Sequence, residues 1–170
     1  TRHTMECTLL TLGANKVGAV CMPVNWRLAP PEVEYIVSNG EARLLMVDAL
    51  FAPVVARAHL PGVALTLATD GLDGMTGFHE WFMRHDAVDP GDDPDPEATA
   101  IQLYSSGTTG LPKGVELSHR ALMTNSTAEG TGGQLEYGPG DVLYNPLPTF
   151  HIAGMGLAIL TLARGGETVF

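Results

Sequence analysis

The sequence predicts an α/β fold, in which helices cover both faces of a layered, mainly parallel sheet. Two observations support this class. Leu44–Val47 is apolar at every position, as expected of a strand that is covered on both faces. Such runs alternate along the chain with segments whose apolar residues recur at helical spacing, and this alternation is typical of parallel sheets. At 170 residues the chain is long enough to bury a core and suits one domain.

Proline and glycine residues divide the first half of the chain into predicted elements. Leucines and valines at helical spacing predict a helix over residues 5–17. Residues 19–24 form a short apolar run and are predicted to be a strand. Pro30 opens a second helix, as proline does at a first turn, and Asn39 with Gly40 forms its C-cap. Further along, we predict a strand at Leu44–Val47, a helix over 49–58, a strand over 63–67 and a short helix over 79–84 in which Trp81 and Phe82 belong to the core.

The second half begins with an acidic segment and then returns to alternating elements. Residues 89–97 carry five carboxylates and are too polar to pack, which predicts a loop. We therefore divide the domain into a first αβ part at 1–88, an acidic Asp/Pro loop at 89–98 and a second part at 99–170. The elements predicted in the second part are strands at 100–104, 115–117 and 142–144, a helix from the N-cap Ser118 to about 127, a helix over 153–163 and a strand that begins at 167.

Composition and charge exclude several classes of function. Half of the net charge of −10 comes from the acidic loop, and no basic face is available for nucleic acid. Cys7 and Cys21 are too few for a disulfide framework or a zinc site, and we expect buried thiols in a reducing compartment. No apolar run reaches the roughly 18–20 residues of a membrane span. We therefore expect a cytoplasmic protein, and leave peripheral membrane contact and oligomeric state open.

The run from Ser105 to Gly114 carries the strongest functional signal. It reads Ser-Ser-Gly-Thr-Thr-Gly-Leu-Pro-Lys-Gly and lies between two predicted strands. Glycine lets a ligand approach bare amide N–H groups, the hydroxyls add donors, and Lys113 adds a compact positive charge. Such a loop suits a polyanion with many acceptor oxygens, of which a triphosphate is the common example.

Loops rich in glycine and hydroxyl residues have two other common interpretations. A Walker A loop is excluded, because that motif places Gly-Lys before Ser or Thr and leads into a helix, whereas Lys113 follows Pro112 and leads into a predicted strand. A flexible surface loop is the simpler alternative, since glycine, serine and threonine are common in turns. Against it, the chain has only two lysines, Lys16 and Lys113, and Pro112 stiffens the loop directly before the second of them.

Residues 104–119 resemble the signature of the adenylate-forming enzymes, which include acyl-CoA synthetases, firefly luciferases and the adenylation domains of peptide synthetases. Two flanking segments are similar to the acyl-CoA synthetase branch: Gly-Ala-Val-Cys-Met-Pro-Val-Asn-Trp-Arg-Leu at 18–28 and Pro-Leu-Pro-Thr-Phe-His-Ile-Ala-Gly at 146–154. The three segments occur in the family's order, so the resemblance covers nearly the whole chain. Since enzymes of this family are typically much longer, we expect the chain to be a piece of the N-terminal domain of such an enzyme.

The resemblance implies a two-step reaction and a set of site residues. A carboxylate attacks the α-phosphate of ATP, which releases pyrophosphate and leaves an acyl-adenylate, and the thiol of coenzyme A then attacks the acyl carbon. Lys113 and His151 are the expected catalytic residues, with Lys113 on the phosphates and His151 beside the acyl group. Mg²⁺ is expected to accompany ATP, and its protein ligands stay unknown. The residues expected to hold the β- and γ-phosphates are Ser105, Ser106, Gly107, Thr108, Thr109, Gly110 and Lys113.

Other residues in the matching segments have simpler interpretations. A histidine such as His151, taken alone, is more often a structural residue; its place at the end of a predicted strand and its match to the family position make a role in the acyl pocket equally well supported. Phe150 and Gly154 are weaker candidates for that pocket. Three further residues are interpreted as structural or surface positions: His119 at the exit of the loop, Trp26 in packing and Arg27 in surface pairing.

The implied function is that of an acyl-CoA synthetase acting on a fatty or other aliphatic acid. Its partners would be the small-molecule carboxylate, ATP and coenzyme A. A fatty-acyl-AMP ligase, another adenylating enzyme of the family and a nucleotide-binding module without catalysis stay open. The family's adenine-binding motifs and the catalytic lysine of its C-terminal domain would lie beyond Phe170, so we expect the chain alone not to complete adenylation.

Overall fold

The computed structural model describes residues 4–72, 74–105, 110–126 and 138–170 of the chain. Most of the predicted elements are confirmed with ends within two residues of the observed ones. The helices of the described residues are α1 (Met5–Lys16), α2 (Pro30–Asn39), α3 (Ala52–Val55), α4 (Phe78–Phe82), α5 (His119–Ser126) and α6 (Ile152–Ala163). The strands are β1 (Leu44–Val47), β2 (Leu65–Ala68), β3 (Thr76–Gly77), β4 (Thr99–Ser105), β5 (Lys113–Ser118), β6 (Val142–Tyr144) and β7 (Glu167–Val169).

The described strands form three small sheets in which parallel pairs predominate. β1, β2 and β3 lie side by side in that order, all parallel, and β6 pairs with β7 in parallel. β4 and β5 form an antiparallel hairpin. The predicted α/β class with mainly parallel strands is confirmed, and the strands of the described ranges fall into separate sheets.

The strand predicted at 19–24 is wrong, because the structure has a single bridge there. Cys21 pairs in parallel with β4, its N–H donates to Ala100 O at 3.0 Å, and its C=O accepts from Gln102 N at 2.9 Å. The next donor on this side of the chain would be Pro23, which has no N–H. The ladder therefore stops after one residue.

The helix predicted over 49–58 is shorter in the structure, where α3 has four residues. The Asp48 carboxylate accepts a hydrogen bond from Leu50 N at 3.0 Å, and a turn of this kind competes with a helical start. Past α3, the N–H groups of Arg57 and Ala58 bond three residues back, as in a 3₁₀ turn. Both ends of the predicted helix are therefore turns.

The aromatic residue that α4 buries is Phe78. Phe78 is 4% exposed whereas Phe82 is 49% exposed, so the prediction that Phe82 belongs to the core is wrong. Trp81 is half-buried and packs against Phe78, with ring centroids 6.1 Å apart. Because α4 begins directly after β3, its first side chain is the one that the sheet covers.

One cluster of buried side chains connects the β4–β5 hairpin with α6. Ala100, Ile101 and Leu103 of β4 pack with Leu122 of α5 and Met155 of α6, and each is at most 9% exposed. Burying an aliphatic side chain contributes about 1.5–3 kcal/mol. Strand β4 and helix α6 are therefore held together by a common core.

The acidic segment is attached to the fold near both of its ends. Residues 89–98 contain no helix or strand. Lys16 of α1 donates to Asp89 Oδ2 at 2.7 Å, and this hydrogen bond lowers the pKa of Asp89. Arg120 of α5 pairs with Glu97. None of the helices in the described ranges has the length and apolar character that crossing a membrane requires.

Candidate functional site

The hairpin of β4 and β5 brings together the two ends of the predicted phosphate loop. Ser105 ends β4, Lys113 begins β5, and the two residues are directly paired in the register. Residues paired in this way have Cα atoms about 4.5–5.5 Å apart and side chains on the same face. A hydroxyl group and an ammonium group therefore lie at the mouth of one loop, which we call the hairpin mouth.

Lys113 has the exposure that an anion-binding side chain requires. It is exposed, and none of the ion pairs among the described residues includes it. Lys16, the other lysine of the chain, is instead paired with Asp89. Four of the residues predicted to hold phosphate lie outside the described residues: Ser106, Gly107, Thr108 and Thr109.

Gly110 adopts a backbone conformation that favours glycine, with a φ of +137°. A Cβ at this position would meet no described atom within 4 Å. The requirement for glycine at this position therefore comes from the backbone angle.

Two tyrosines connect α2 to the hairpin mouth, and no sequence motif indicated either contact. The Tyr35 hydroxyl donates to Pro112 O at 3.1 Å, one residue before Lys113. On the β4 side, the Tyr104 hydroxyl donates to Asn39 Oδ1 at 2.6 Å. Burial and the neighbouring Tyr35 raise the pKa of Tyr104. Helix α2 therefore holds both sides of the mouth.

The far end of the hairpin is closed by the start of α5. Ser118 Oγ accepts from Ala121 N at 3.2 Å, which confirms Ser118 as the N-cap. The His119 N–H donates to Ala98 O at 3.1 Å. The Nε2 atom of His119 is buried and has no hydrogen-bond partner among the described residues.

His151 lies at the N-cap of α6 in an extended conformation, with φ −109° and ψ 148°. Its N–H donates to Pro148 O at 3.0 Å, and its C=O accepts from Met155 N at 3.0 Å. The imidazole is exposed and makes no capping hydrogen bond to the helix. The backbone is thus fixed while the side chain is accessible to a ligand.

Aromatic packing supports the residue beside His151. Phe150 is 7% exposed, and its ring centroid lies 4.5 Å from that of His151. Trp26 packs edge-on against Phe150 at 6.2 Å and stacks on Phe51 at 5.8 Å. The Arg27 guanidinium lies 4.6 Å from the Trp26 ring centroid, in a cation–π contact. The predicted packing role of Trp26 is confirmed, and the exposed Arg27 contacts this ring, whereas none of the ion pairs among the described residues includes Arg27.

Gly154 lets α6 lie close to the turn that precedes it. A Cβ on Gly154 would come within 2.4 Å of Pro148 O and 2.5 Å of Leu147 O. Gly154 and Phe150, the weaker candidates for the acyl pocket, both make packing contacts in this structure. These contacts hold the segment that presents His151.

A shallow apolar cleft separates α1 from α6. Its volume is about 40 Å³, which leaves room for little more than a water molecule. Ligand pockets in proteins are typically about 300–1,000 Å³, so this cleft alone does not form a substrate pocket. The residues that line it are Thr4, Cys7, Thr8, Thr11, Leu12, Thr149, Met155, Ala158, Ile159, Leu162 and Phe170.

Neither Cys7 nor Cys21 is part of a disulfide bond, and both residues are half-buried. The Cys21 Sγ atom lies 3.2 Å from Thr11 Oγ1, and burial raises the pKa of the Cys21 thiol. Across the described ranges, no group of three or more His, Cys, Asp or Glu side chains is placed to hold a metal ion.

Comparison with known proteins identifies the family of the chain. The model of the AMP-binding enzyme family matches residues 1–170. The fatty acid–[acyl-carrier-protein] ligase ScoC from Streptomyces coeruleorubidus is 36% identical over 165 residues, which are 94% of this chain and 30% of ScoC. The long-chain-fatty-acid–CoA ligase FadD13 from Mycobacterium tuberculosis is 34% identical over 167 residues, 96% of this chain and 32% of FadD13. The chain spans about a third of the length of these relatives.

A solved structure shows the same fold. The anthranilate CoA ligase AuaEII in complex with anthranoyl-AMP has a TM-score of 0.90 and 27% sequence identity to this chain, with 100% of this chain and 34% of AuaEII covered. Since the family model matches the whole chain and the fold agrees, the chain belongs to the AMP-binding enzymes.

Proposed function

We propose that this chain is the phosphate-binding part of an ATP-dependent acid–thiol ligase. The observation that carries the proposal is the hairpin mouth, where Ser105 and Lys113 are paired at the ends of a loop rich in glycine and hydroxyl residues. Hydroxyl, amide and ammonium groups all donate to phosphate oxygens. Because the chain spans about a third of its relatives, the activity is proposed for a longer enzyme, called below the full-length ligase.

The proposed reaction has two steps. A carboxylate oxygen of the acid attacks the α-phosphorus of ATP, the bond from that phosphorus to the bridging oxygen breaks, and pyrophosphate leaves. A thiol then attacks the acyl carbon of the acyl-adenylate, AMP leaves, and a thioester forms. The first step places negative charge on the leaving pyrophosphate, which donors fixed in advance stabilise.

The hairpin mouth would supply these donors. Lys113 would contribute a charge-assisted hydrogen bond, worth about 1.5–3 kcal/mol. Mg²⁺ bound with ATP would neutralise further phosphate charge, and hydroxyl oxygens such as that of Ser105 are ligands of the type this ion accepts. The residues proposed to hold the β- and γ-phosphates are Ser105, Ser106, Gly107, Thr108, Thr109, Gly110 and Lys113.

His151 is proposed to line the acyl site beside the substrate carboxylate. Its imidazole is exposed at the start of α6, a helix of 12 residues. The N-terminus of a helix attracts negative charge, because its first N–H groups are unpaired and its dipole is positive there. A carboxylate beside His151 would therefore be favoured by both the side chain and the helix.

A fatty acid is the proposed substrate, supported by the names of ScoC and FadD13. Other relatives are named for other acids: a sulfoacetate–CoA ligase from Cupriavidus necator is 34% identical, and a 4-coumarate–CoA ligase from Oryza sativa subsp. japonica is 32% identical. A carboxylic acid is common to all of these names. The proposal of a fatty acid thus depends on the first two relatives.

Coenzyme A is the proposed acceptor, and ATP the proposed nucleotide. An ATP-bound structure of MatB from Rhodopseudomonas palustris, 28% identical with a TM-score of 0.83, supports the nucleotide. A carrier-protein thiol is a second candidate acceptor, because ScoC is named as an acyl-carrier-protein ligase. We place the ligase in the cytoplasm as part of the same proposal, which fractionation of cells would test.

Exchange of labelled pyrophosphate into ATP tests the proposed first step. The full-length ligase should catalyse exchange only when an acid is present, and a panel of fatty acids, sulfoacetate, 4-coumarate and anthranilate would identify the class. A protein that binds ATP but gives no exchange with any acid would be the non-catalytic alternative. Thioester formation with coenzyme A or with an acyl carrier protein then identifies the acceptor. The 170-residue chain alone should give no exchange, and pyrophosphate release by it would refute that expectation.

A further inference from the structure

A buried asparagine, Asn145, joins the end of β6 to the turn that carries His151. Asn145 is 0% exposed. Its backbone N–H donates to Val169 O at 2.8 Å, which continues the pairing of β6 with β7. The Oδ1 atom accepts from Leu147 N at 3.2 Å, and Nδ2 donates to Gly154 O at 2.9 Å. One side chain therefore spans the segment from the start of the turn to the first turn of α6.

A side-chain amide is the group that satisfies both of these contacts. The Leu147 N–H requires an acceptor, and the Gly154 C=O requires a donor. Asparagine carries both on one planar group, whereas an ionised aspartate lacks the donor and leucine, which is similar in size, lacks both. Because an unpaired buried amide would be costly, the hydrogen bonds of Oδ1 and Nδ2 favour this geometry of the segment.

His151 lies within the segment that these two contacts enclose. Its N–H donates to Pro148 O at 3.0 Å, which closes the turn. Gly154 approaches the same carbonyl so closely that a Cβ would lie 2.4 Å from its oxygen. The hydrogen bonds of Asn145 therefore hold the two ends of the segment that carries His151.

We propose that Asn145 is a positioning residue, whose amide fixes residues 147–154 and thereby orients the His151 imidazole toward the acyl group. This inference rests on the proposed function, in which His151 lines the acyl site. Asn145 is fully buried and acts through His151, not on the substrate. A displacement of about 1 Å at a reacting group can lower a rate by about 100-fold, so the amide should control the specificity constant for the acid.

Kinetics of Asn145→Leu in the full-length ligase test this role. Thr161→Val is the matched control, because Thr161 is also 0% exposed and its hydroxyl donates to Leu157 O at 2.7 Å within α6. We expect N145L to lower kcat/KM for the acid by about 10- to 100-fold, with a raised KM for the acid and an unchanged KM for ATP. T161V should change neither KM. An N145L variant with the original KM for the acid would overturn the inference.

Separating a positioning effect from general damage requires both KM values. A variant that is merely less stable has fewer active molecules, which lowers kcat and shifts neither KM. A rise in both KM values for N145L would therefore contradict a role limited to the acyl side. A rise in the KM for the acid alone supports it.

Hydrogen exchange at the Leu147 amide provides a readout that is independent of activity. In the unsubstituted ligase this amide should exchange slowly although it lies in no helix or strand, because Asn145 Oδ1 accepts its bond. Rapid exchange would overturn the inference even if N145L does not fold. A second outcome separates this inference from the proposed function. If His151→Ala leaves the KM for the acid unchanged while N145L still speeds hydrogen exchange at the Leu147 amide, the proposed role of His151 in the acyl site is wrong. The proposed positioning role of Asn145 is then wrong as well, and only its hydrogen bond to the Leu147 amide is supported.

Discussion

Replacing Gly154 by alanine should displace the turn before α6, whereas the same change two residues later should not. A Cβ on Gly154 would lie 2.4 Å from Pro148 O and 2.5 Å from Leu147 O. Ordinary van der Waals contact begins at 3.4 Å, so restoring it requires the helix and the turn to separate by about 1 Å. The obstructing atoms belong to the backbone and cannot rotate aside as a flexible side chain would.

Gly156 provides the matched control within the same helix, since a Cβ there would meet nothing within 4 Å. Alanine in place of glycine inside a helix stabilises by about 0.5–1 kcal/mol. Overpacking of a tight contact costs about 1–3 kcal/mol. The helical gain is common to both variants, so the free energy of unfolding of Gly154→Ala should lie about 1–3 kcal/mol below that of Gly156→Ala.

This difference in the free energy of unfolding can be measured by urea unfolding, monitored by circular dichroism, of G154A, G156A and the unsubstituted protein. G156A should be more stable than the unsubstituted protein and G154A less stable than G156A, with similar urea dependence. In the full-length ligase, G154A should also lower kcat/KM for the acid, because the displaced turn carries His151. Equal stability of G154A and G156A would refute the reasoning.

Two further predictions concern α2 and Cys21. Tyr35→Phe removes the hydroxyl group that donates to Pro112 O. Loss of this hydrogen bond, worth about 0.5–1.5 kcal/mol, should raise the KM for ATP by about 2- to 13-fold. An unchanged KM for ATP would show that other contacts hold the loop. Burial raises the pKa of Cys21, so its alkylation should require a higher pH than that of an ordinary thiol with a pKa of about 8.5. Because the folded-state pKa is raised, Cys21 stabilises the fold fully below its unfolded-state pKa of about 8.5, and this contribution is lost as pH rises through the folded-state pKa. The free energy of unfolding of Cys21→Ala should therefore decline less steeply above about pH 8.5 than that of the unsubstituted protein. Equally steep declines in the two proteins would contradict this prediction.

The parts of the site that depend on neighbouring residues could be predicted from the sequence. The run from Ser105 to Gly114 is a local pattern, and the structure places its two ends in a hairpin with strands on both sides, as expected. Ser118 as a helix N-cap is likewise a local property. These predictions depend on no distant contact.

Contacts between distant residues had no such signal. Tyr35 and Pro112 are 77 positions apart in the chain, so the bond between them could not be inferred from either sequence neighbourhood. Asn145 gave no signal either, because its burial depends on how α6 packs back against the turn. The wrong prediction of a strand at 19–24 has a different cause. Pro23 is part of the sequence itself, and its missing N–H, which prevents further pairing with β4, could have been recognised there.

Gly40 shows how a correct boundary can have a different physical cause. Helix α2 ends there, as predicted, yet Gly40 has a φ of −82°, and the residue with positive φ is Glu41 at 52°. A Cβ at position 40 would lie 2.4 Å from the Sδ atom of Met22, which would have to shift, and 3.2 Å from both Gln102 Oε1 and Ile36 O. The reason for this glycine is therefore close packing with another segment.

Exchange of labelled pyrophosphate into ATP by Lys113→Ala and Lys16→Ala variants of the full-length ligase tests most directly whether the hairpin mouth binds ATP. Lys16 is the matched control, because it is the other lysine of the chain and is already paired with Asp89. Loss of a charge-assisted hydrogen bond of about 1.5–3 kcal/mol predicts that K113A exchanges at least about 10-fold more slowly, while K16A keeps the original rate. A K113A rate equal to that of K16A would contradict the assignment of this loop to ATP.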